Sequence, residues 1–397
     1  MKARVLATSI GAAAAAVMLM SMAPASLQGQ APAASPMKTA WGDPDLQGIW
    51  NDPYDTPLQR SPQFANQEFF TDEQIAELDK VRANLLRREY RDKDAQGKPT
   101  EQDVAGAYNA VFESHRPTGK RTSLIVDPPN GRMPARTAEA QKRDAEYKQY
   151  QLALMSNTYT CKIGAPSCRG GKYGPPSPRR NEKPPTYSTD RLNRADGPED
   201  RGMPERCMGS TLPDFGGYRR VVQGPGAVSM YYDVGQGQGW SRMIPVTNLP
   251  HLPSHIRRPW GDSRAKWEGS TLVVDVTNFS PKIDFRGARE NLHIVERWTR
   301  IDADTLRYEV KVEDPTTWVA PWTVRYDLKR QDEKLNRIYY EPRCSDTNFG
   351  LAGMLANTRA EERAFKAGKG PDPASRDIAT GGAGGGESNR DPLGGAE

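Results

Sequence analysis

The clearest pattern in the chain is an alternation of apolar and polar residues that begins near residue 207. Every second residue of 306–312 is apolar, and charged residues lie between them. STLVVDVTNF, LHIVERWTRI and WTVRYDLKR alternate in the same way, and RIYYEPRC is a further expected strand. Asp262, Ser263 and Arg264 are expected to lie in a tight loop before STLVVDVTNF. Short turn sequences join neighbouring runs, among them DADT and Gly-Pro-Gly. A period of two with tight turns predicts antiparallel strands that have one apolar face and one polar face.

Helical patterns are confined to three places outside these strands. Thr71 and Gln74 form a capping-box pair ahead of an apolar stripe with helical spacing. Further helices are expected from about Thr137 to Met155 and from about Leu351 to Lys366. The predicted fold class is therefore mainly β (α+β). We expect an antiparallel, lipocalin-like barrel or curled sheet, with N-terminal helices and long Pro/Gly-rich loops.

Composition divides the mature chain into successive segments. Residues 41–156 are expected to form a strap and helices packed on the main domain, and residues 207–367 the β-rich domain with its C-terminal helix. Between them, residues 157–206 are Pro/Gly-rich and irregular, and they either wrap the surface or form a lid. Residues 368–397 are Gly-rich and poor in apolar residues, which predicts a disordered tail.

The N-terminus has the features of a secretory signal. Lys2 and Arg4 precede an apolar stretch that ends near Met22, and Ala23-Pro24-Ala25 supplies small residues for cleavage. We predict a signal peptide over 1–25, cleavage near Ala25, a linker over 26–40 and a periplasmic or secreted protein. A membrane anchor is the alternative, because the apolar stretch approaches the roughly 20 residues of a spanning helix.

An exported protein folds in an oxidising environment, so we expect the four cysteines to form disulfides. Cys161 and Cys168 bracket a short loop, CKIGAPSC, and are predicted to pair. Cys207 and Cys344 then form a long-range link across the strand-rich region. A structural metal site is less favoured, because the chain has no CxxC pair and only four histidines.

The net charge of +5 is a mild excess without a long basic run, so nucleic acid is not expected as a partner. No segment after the N-terminus is long and apolar enough to predict stable membrane insertion. A small-molecule ligand or substrate is the expected partner.

Two carboxylates in the strands are candidate catalytic groups. Alternation places Glu296 among apolar residues on the face expected to be buried, and burial disfavours the charged form of a carboxyl group. Such a group suits a general acid or base. Asp275 lies on the opposite, polar face of its strand. The alternative for Glu296 is structural pairing with a buried arginine such as Arg264 or Arg286.

Three histidines raise the question of acid–base or metal chemistry. His251 and His255 have an H-x3-H spacing, and His293 can approach from a strand. A His-bound divalent metal is a minor alternative, because Pro253 disrupts the helix that normally puts such a pair on one face. We therefore expect no metal and no cofactor, and assign His251 and His293 as candidate acid–base partners of the carboxylates.

Six of the eight tryptophans fall between residues 240 and 328. Core packing is the ordinary explanation for a tryptophan. Some of them can instead line a pocket for a flat ligand, with arginines that bind an acidic group. The candidate substrate-binding residues are Arg264, Arg297, Trp260, Trp267 and Trp298.

Several runs are long enough to carry a resemblance. WGDPDLQGIW, SLIVDPPNGR, GDSRAKWEGSTLVVDVTNF and LHIVERWTR resemble segments of a family of exported bacterial proteins of uncharacterised function. The resemblance covers about residues 41–365 and implies export and a single architecture. It supplies no reaction. Where other members have Cys-His-Glu-Gly-Asn, this chain reads CSDTNFG from Cys344.

Three functions follow as hypotheses. The first is an exported enzyme of lyase, isomerase or hydrolase type, which does cofactor-free acid–base chemistry on a small, partly apolar or aromatic molecule in a barrel pocket. The second is a periplasmic carrier for a hydrophobic or aromatic ligand. The third is a structural envelope protein.

Overall fold

A computed structural model describes residues 37–85, 116–164, 168, 170–187, 196–203, 206–233, 239–332 and 349–375. The predicted signal peptide, most of the linker, Cys344 and residues 376–397 of the predicted disordered tail lie outside these residues.

Ten strands of the described residues form one antiparallel sheet. The strands are β1 Gly48–Asn51, β2 Ile125–Asp127, β3 Tyr218–Gly224, β4 Ala227–Asp233, β5 Gly239–Pro245, β6 Asp262–Glu268, β7 Thr271–Thr277, β8 His293–Arg300, β9 Thr305–Glu313 and β10 Trp322–Arg330. The order of the main path is β5-β4-β3-β1-β10-β9-β8-β7-β6, and β2 pairs with β10 beside it. The predicted antiparallel barrel-like sheet is confirmed.

The sheet curls until its two ends almost meet. Val246, which follows β5, forms a parallel bridge with Ala265 of β6, and the Thr247 N–H donates to the Ala265 carbonyl at 2.9 Å. Nine strands alternate in direction along the path, so the first and last run the same way. A barrel with an odd number of antiparallel strands must close through a parallel contact, and this bridge is that contact.

The interior of the barrel is filled by side chains. Alternate residues of each strand are buried, as in the iBiBiBiB pattern of β8. Trp50, Trp298 and Trp322 are almost fully buried and belong to one continuous core. Because the period of a strand is two, the outward residues of the same strands remain partly exposed.

The predicted helices are present. The four helices of the described residues are α1 Asp72–Leu85, α2 Ala138–Met155, α3 Tyr159–Lys162 and α4 Phe349–Lys366. The capping box of α1 forms as expected, since the Thr71 and Gln74 side chains each accept the other residue's backbone N–H. Thr137 caps α2 by accepting the Ala140 N–H. No helix in the described ranges is long and apolar enough to cross a membrane.

One predicted disulfide is confirmed: Cys161 and Cys168 are bonded and pack against the end of α2. Cys207 is disulfide-bonded as well. Its predicted partner, Cys344, lies outside the described residues, so that pairing stays a prediction.

Three strands were not expected from the sequence. β1 lies in the segment predicted to be a strap, yet it pairs with both β3 and β10 inside the barrel. β6 begins at Asp262, where a tight loop was expected, and β5 was not predicted at all. The strand expected at RIYYEPRC lies outside the described residues.

Candidate functional site

The strand faces divide the predicted site residues into two groups. Glu296 and Trp298 point into the barrel, whereas Asp275 and His293 lie on its outer face. The segment after β5 brings His251 onto the same outer face, over β6 and β7. The wall of the barrel therefore separates Glu296 from the other three candidate catalytic residues.

A chain of four side chains lies on the outer face of β6, β7 and β8. His251 Nδ1 is 2.9 Å from Asp262 Oδ2, and His251 Nε2 is 2.8 Å from Asp275 Oδ1. His293 Nε2 is 3.1 Å from Asp275 Oδ2. We call His293, Asp275, His251 and Asp262 the His–Asp chain.

Asp262 is the inner end of the His–Asp chain. Its side chain is 2 % exposed, and its two oxygens are held by separate groups. Oδ2 accepts the Leu252 N–H at 3.0 Å besides contacting His251, and Oδ1 is 3.0 Å from the Arg264 guanidinium. A buried carboxylate fixed in this way sets the orientation of the imidazole ring that it binds.

Asp275 and His293 form the exposed end. Their side chains are 43 % and 37 % exposed, so solvent and a small molecule can reach them. The hydrogen bond from His293 lowers the pKa of Asp275 against the opposing effect of burial. The same bond raises the pKa of His293. Near neutral pH, Asp275 is therefore an anion and His293 carries more positive charge than an ordinary histidine.

The hydrogen-bonding capacity of each side chain limits where the protons of the His–Asp chain can lie. A carboxylate oxygen only accepts, and a neutral imidazole has a single N–H. His251 contacts carboxyl oxygens through both ring nitrogens. Which of the two ring nitrogens carries the hydrogen depends on the tautomer of His251. An imidazole placed between two carboxyl groups can take up and pass on a proton, which suits it to general acid–base chemistry.

The loop that carries His251 is fixed by polar contacts to the sheet. Arg264 donates to the Pro250 carbonyl at 3.2 Å, and the Asn278 amide donates to the Leu252 carbonyl at 2.7 Å. These bonds hold the residues on both sides of His251. The position of the ring is thus determined by β6 and β7 and by the segment after β7, rather than by a helix.

No protein-family model and no curated protein matches this chain. The chemistry of the site must therefore be argued from its own residues.

The two predicted arginines differ in their relation to the His–Asp chain. Arg264 of β6 lies opposite Asp275 in register and binds Asp262, so it is part of the site. Arg297 points to the same outer face but pairs with Glu268 at 3.1 Å, nearer the other end of β8. The structure brings Arg264 to the site and leaves Arg297 in a surface ion pair.

Glu296 is the centre of a separate, buried network. It is 0 % exposed, binds Arg242 at 2.6 Å and accepts the Tyr308 hydroxyl at 3.0 Å. Burial lowers the pKa of Arg242, but the Glu296 carboxylate more than offsets this and the net shift is upward. Ser263 accepts from Arg242 at 2.8 Å. The structural pairing considered from the sequence is present, with Arg242 instead of Arg264 or Arg286.

The three predicted tryptophans do not converge on the His–Asp chain. Trp298 is 1 % exposed and packs 4.2 Å from the Tyr308 ring inside the barrel. Trp260 stacks on Trp240 at 4.4 Å, and its Nε1 donates to the Ser210 carbonyl. Trp267 is partly buried against the core. Trp260 is near a cleft, because Ser210 is one of the cleft's lining residues.

The histidines are not arranged around a metal. His255 is exposed and is not among the residues that contact His251 or His293. Within the described ranges, no group of three or more His, Cys, Asp or Glu side chains has the arrangement of a metal site.

Sequence reasoning missed Asp262 as the partner of His251 and Arg242 as the partner of Glu296. Asp262 lies in the GDSR run, where the expected loop concealed its place on the outer face of β6. Arg242 lies in GWSRMIP, which alternates Trp, Arg and Ile inward. An inward arginine in one strand and an inward glutamate in another is the signal that could have identified this pair.

Proposed function

We propose that this protein is an exported enzyme that does cofactor-free acid–base chemistry on a small molecule at the outer face of β6, β7 and β8. The observation that carries the proposal is the His–Asp chain. His251 is oriented by a buried carboxylate at one nitrogen and meets an exposed carboxylate, shared with His293, at the other.

The roles of the residues follow from their surroundings. Asp262 holds the His251 ring, and His251 with Asp275 accepts a proton from the substrate. His293, whose pKa is raised by Asp275, donates a proton to the group that develops negative charge. Arg264 forms an ion pair with Asp262. Asp275 is therefore the carboxylate that faces the substrate. Elimination, isomerisation and hydrolysis all require this pairing of a base with an acid.

The site differs from the barrel pocket expected from the sequence. Interior positions level with Glu296 are filled by Val274, Val310 and Arg242, so the acid–base groups that a substrate can reach are those outside. Glu296 is left out of the proposed site, and we assign it a structural role in the barrel interior.

The test is a substrate panel that covers the three reaction classes: chromogenic esters, enolisable ketones and β-substituted carbonyl compounds. For any compound that is turned over, His251→Asn is expected to lower kcat/KM by about 10²–10⁴. His255→Asn is the matched control, because His255 lies four residues after His251 and is not part of the His–Asp chain. This variant should retain full activity. Equal turnover by wild type and His251→Asn would contradict the proposal.

A second candidate is ligand carriage, and one observation favours it. A cleft of about 160 Å³ is lined in part by Ser210, whose carbonyl accepts the Trp260 Nε1–H. Its charged lining groups are Arg201, Arg206 and Lys282 together with Glu199 and Asp284, which leaves an excess of positive charge. An aromatic anion bound there should quench tryptophan fluorescence saturably without chemical change. We expect the Lys282→Ala variant to lose this quenching. The Lys266→Ala variant is the control and should retain it, because Lys266 is an exposed residue of β6.

A further inference from the structure

A small apolar core lies at the end of α2, apart from the core of the barrel. Its members are Tyr150, Leu154, Met155, Cys161 and Cys168. The disulfide between the two cysteines closes the loop that follows α3. Beyond it, the Gly174 N–H donates to the Ser156 carbonyl at 2.7 Å. These contacts hold residues 159–163 and 171–175 side by side, and we call the two segments the disulfide platform.

The disulfide platform exposes apolar side chains in addition to its buried ones. In α3 and the residue after it, Tyr159 and Ile163 lie on the side opposite the buried Cys161, because a helix turns by about 100° per residue. Their exposed fractions are 70 % and 57 %, and that of Tyr173 in the neighbouring segment is 52 %. Single exposed apolar residues are ordinary, whereas several on one rigid element indicate an interaction surface.

The chain around this platform carries positive charge without an acidic residue. Residues 147–181 contain six Lys or Arg and no Asp or Glu. These six positive charges compare with a net charge of +5 for the whole chain, so all other residues together carry a net charge of −1. The net positive charge of the protein is therefore concentrated in the segment that contains the disulfide platform.

The two lysines of the platform are available to a partner. Arg179 and Arg180, which follow the platform, are already bound, one to a glutamate at 3.0 Å and the other to a backbone carbonyl at 2.6 Å. Lys162 and Lys172, in contrast, are exposed, and within the described ranges neither forms an ion pair. Each directly precedes one of the exposed apolar residues. The same surface therefore offers positive charge and apolar area together.

We propose that the disulfide platform docks on the surface of an anionic lipid bilayer. The two lysines meet the lipid phosphates, and the exposed apolar side chains enter the headgroup layer, where the amphipathic ring of tyrosine is favoured. Docking is peripheral, because no part of the platform needs to cross the hydrocarbon layer. The disulfide holds the surface in shape before it binds, which lowers the entropic cost of binding. The proposal does not depend on the chemistry at the His–Asp chain.

Nucleic acid is the other partner that combines with positive charge and aromatic rings, because bases stack on aromatic side chains. Ile163 favours lipid over nucleic acid. Its side chain has no ring on which a base can stack, yet it lies on the same exposed side of α3 as Tyr159. An aliphatic side chain in that position is stabilised by transfer into a bilayer interface.

The experiment is vesicle sedimentation of the full chain, with vesicles of pure phosphatidylcholine and with vesicles of equal parts phosphatidylcholine and phosphatidylglycerol. The protein should bind the anionic vesicles more tightly. Binding should weaken as NaCl rises from about 0.05 M to about 0.5 M, because salt screens exposed charges. Lys162→Gln and Lys172→Gln should each lower the partition coefficient about fivefold. Ile163→Ser should lower it about fivefold or more, through the loss of buried apolar area.

Two exposed residues elsewhere provide matched controls. Lys266→Gln on β6 removes the same charge, and Val319→Ser removes an aliphatic side chain that is exposed to a similar extent as Ile163. Val319 is hydrogen-bonded to Ala135 just before α2, and the platform follows the other end of that 18-residue helix, about 27 Å away. Both controls should bind as the wild type does. All the substituted side chains are exposed, so each variant should fold.

The N-terminal apolar stretch is the same in every variant, so differences among the variants report on the platform. The inference is overturned if the wild type binds both kinds of vesicle equally, if the three platform variants bind the anionic vesicles as tightly as the wild type, or if the two controls lose as much affinity. Tighter binding to a DNA duplex than to the anionic vesicles in the same buffer would also overturn it, in favour of nucleic acid.

Discussion

Asp275 and Glu296 lie one register step apart on neighbouring strands, yet their surroundings give the two carboxylates different roles. Asp275 faces outward between two histidines. Glu296 faces inward and is matched to a guanidinium and a phenol. A buried ion pair is costly to break, because removal of one charge leaves the other desolvated and unpaired. Glu296 is for this reason a structural residue in our account.

Glu296→Gln should destabilise the fold strongly, because Arg242 keeps its charge in the core. We expect a loss of about 3–5 kcal/mol in the free energy of unfolding, measured by urea denaturation. The double variant Arg242→Met/Glu296→Leu should recover most of that loss. Glu309→Gln on the exposed face of β9 is the control, with a change within about 0.5 kcal/mol. A single variant as stable as wild type would refute the structural role.

The pair of His293 and Asp275 makes a pH-dependent contribution to stability. The raised pKa of His293 gives stability below its unfolded pKa that is lost as pH rises through the folded pKa. The lowered pKa of Asp275 gives stability above its unfolded pKa that is lost as pH falls through the folded one. Both contributions are present together between about pH 4 and 6.5.

Asp275→Asn should accordingly lower the pKa of His293, as observed in the NMR titration of its ring protons. The stability difference between wild type and the variant should be largest in that acidic window and shrink by about pH 8. The control is the titration of His255, which should not change. An unaltered His293 titration in Asp275→Asn would refute the hydrogen bond between them.

Side-chain direction in β7, β8 and β9 was predictable from the sequence, because a strict period of two assigns each residue to a face. The residues that each site side chain contacts could not be predicted in this way. Asp262 and His251 are separated by a loop whose path depends on hydrogen bonds to the Pro250 and Leu252 carbonyls. The spacing of apolar residues in a sequence does not predict the path of such a loop.

At the scale of elements, β1 joins the two parts of the barrel. It is only four residues long, yet it lies between β3 and β10, which are remote from it in sequence. Trp50 anchors it: the indole is fully buried, donates to the Leu46 carbonyl at 2.9 Å and lies beneath the Arg300 and Arg330 guanidinium groups. Without β1, the ladder between β3 and β10 is interrupted.

Trp50→Ala should therefore remove both a large core side chain and the anchor of the strand. We expect a loss of about 3–5 kcal/mol in the free energy of unfolding, from the cavity that is left. Trp41→Ala is the matched control, because Trp41 is 40 % exposed and should contribute much less. Similar losses for both variants would show that β1 has no special place in the barrel.

The β1 strand also explains why the topology could not be read from the sequence. Two of its four residues are Gly and Asn, and Pro and Asp flank it, which is typical of a turn-rich segment. Its strand conformation comes from pairing with partners on both sides, a tertiary effect that overrides local preference. The longer strands β7 to β10 alternate clearly, and the sequence predicted all four.

For the molecule as a whole, we propose an exported protein that is stabilised by disulfides. The Cys161–Cys168 bond and the bonded state of Cys207 accord with an oxidising compartment. The intact mass of protein from a periplasmic extract should correspond to a chain that begins near Ser26. It should also lie about four hydrogen masses below the mass of the same chain with all cysteines reduced. A full-length chain with four free thiols would contradict export.

We propose that His251, oriented by Asp262, does the acid–base chemistry. The most direct test is a double-mutant cycle on a substrate found in the panel, with kcat/KM measured for wild type, His251→Asn, Asp262→Asn and the double variant. Because Asp262 acts through His251, its loss should cost about tenfold or more in wild type and nothing further once His251 is gone. Losses that multiply in the double variant, or no loss in either single variant, would contradict the account.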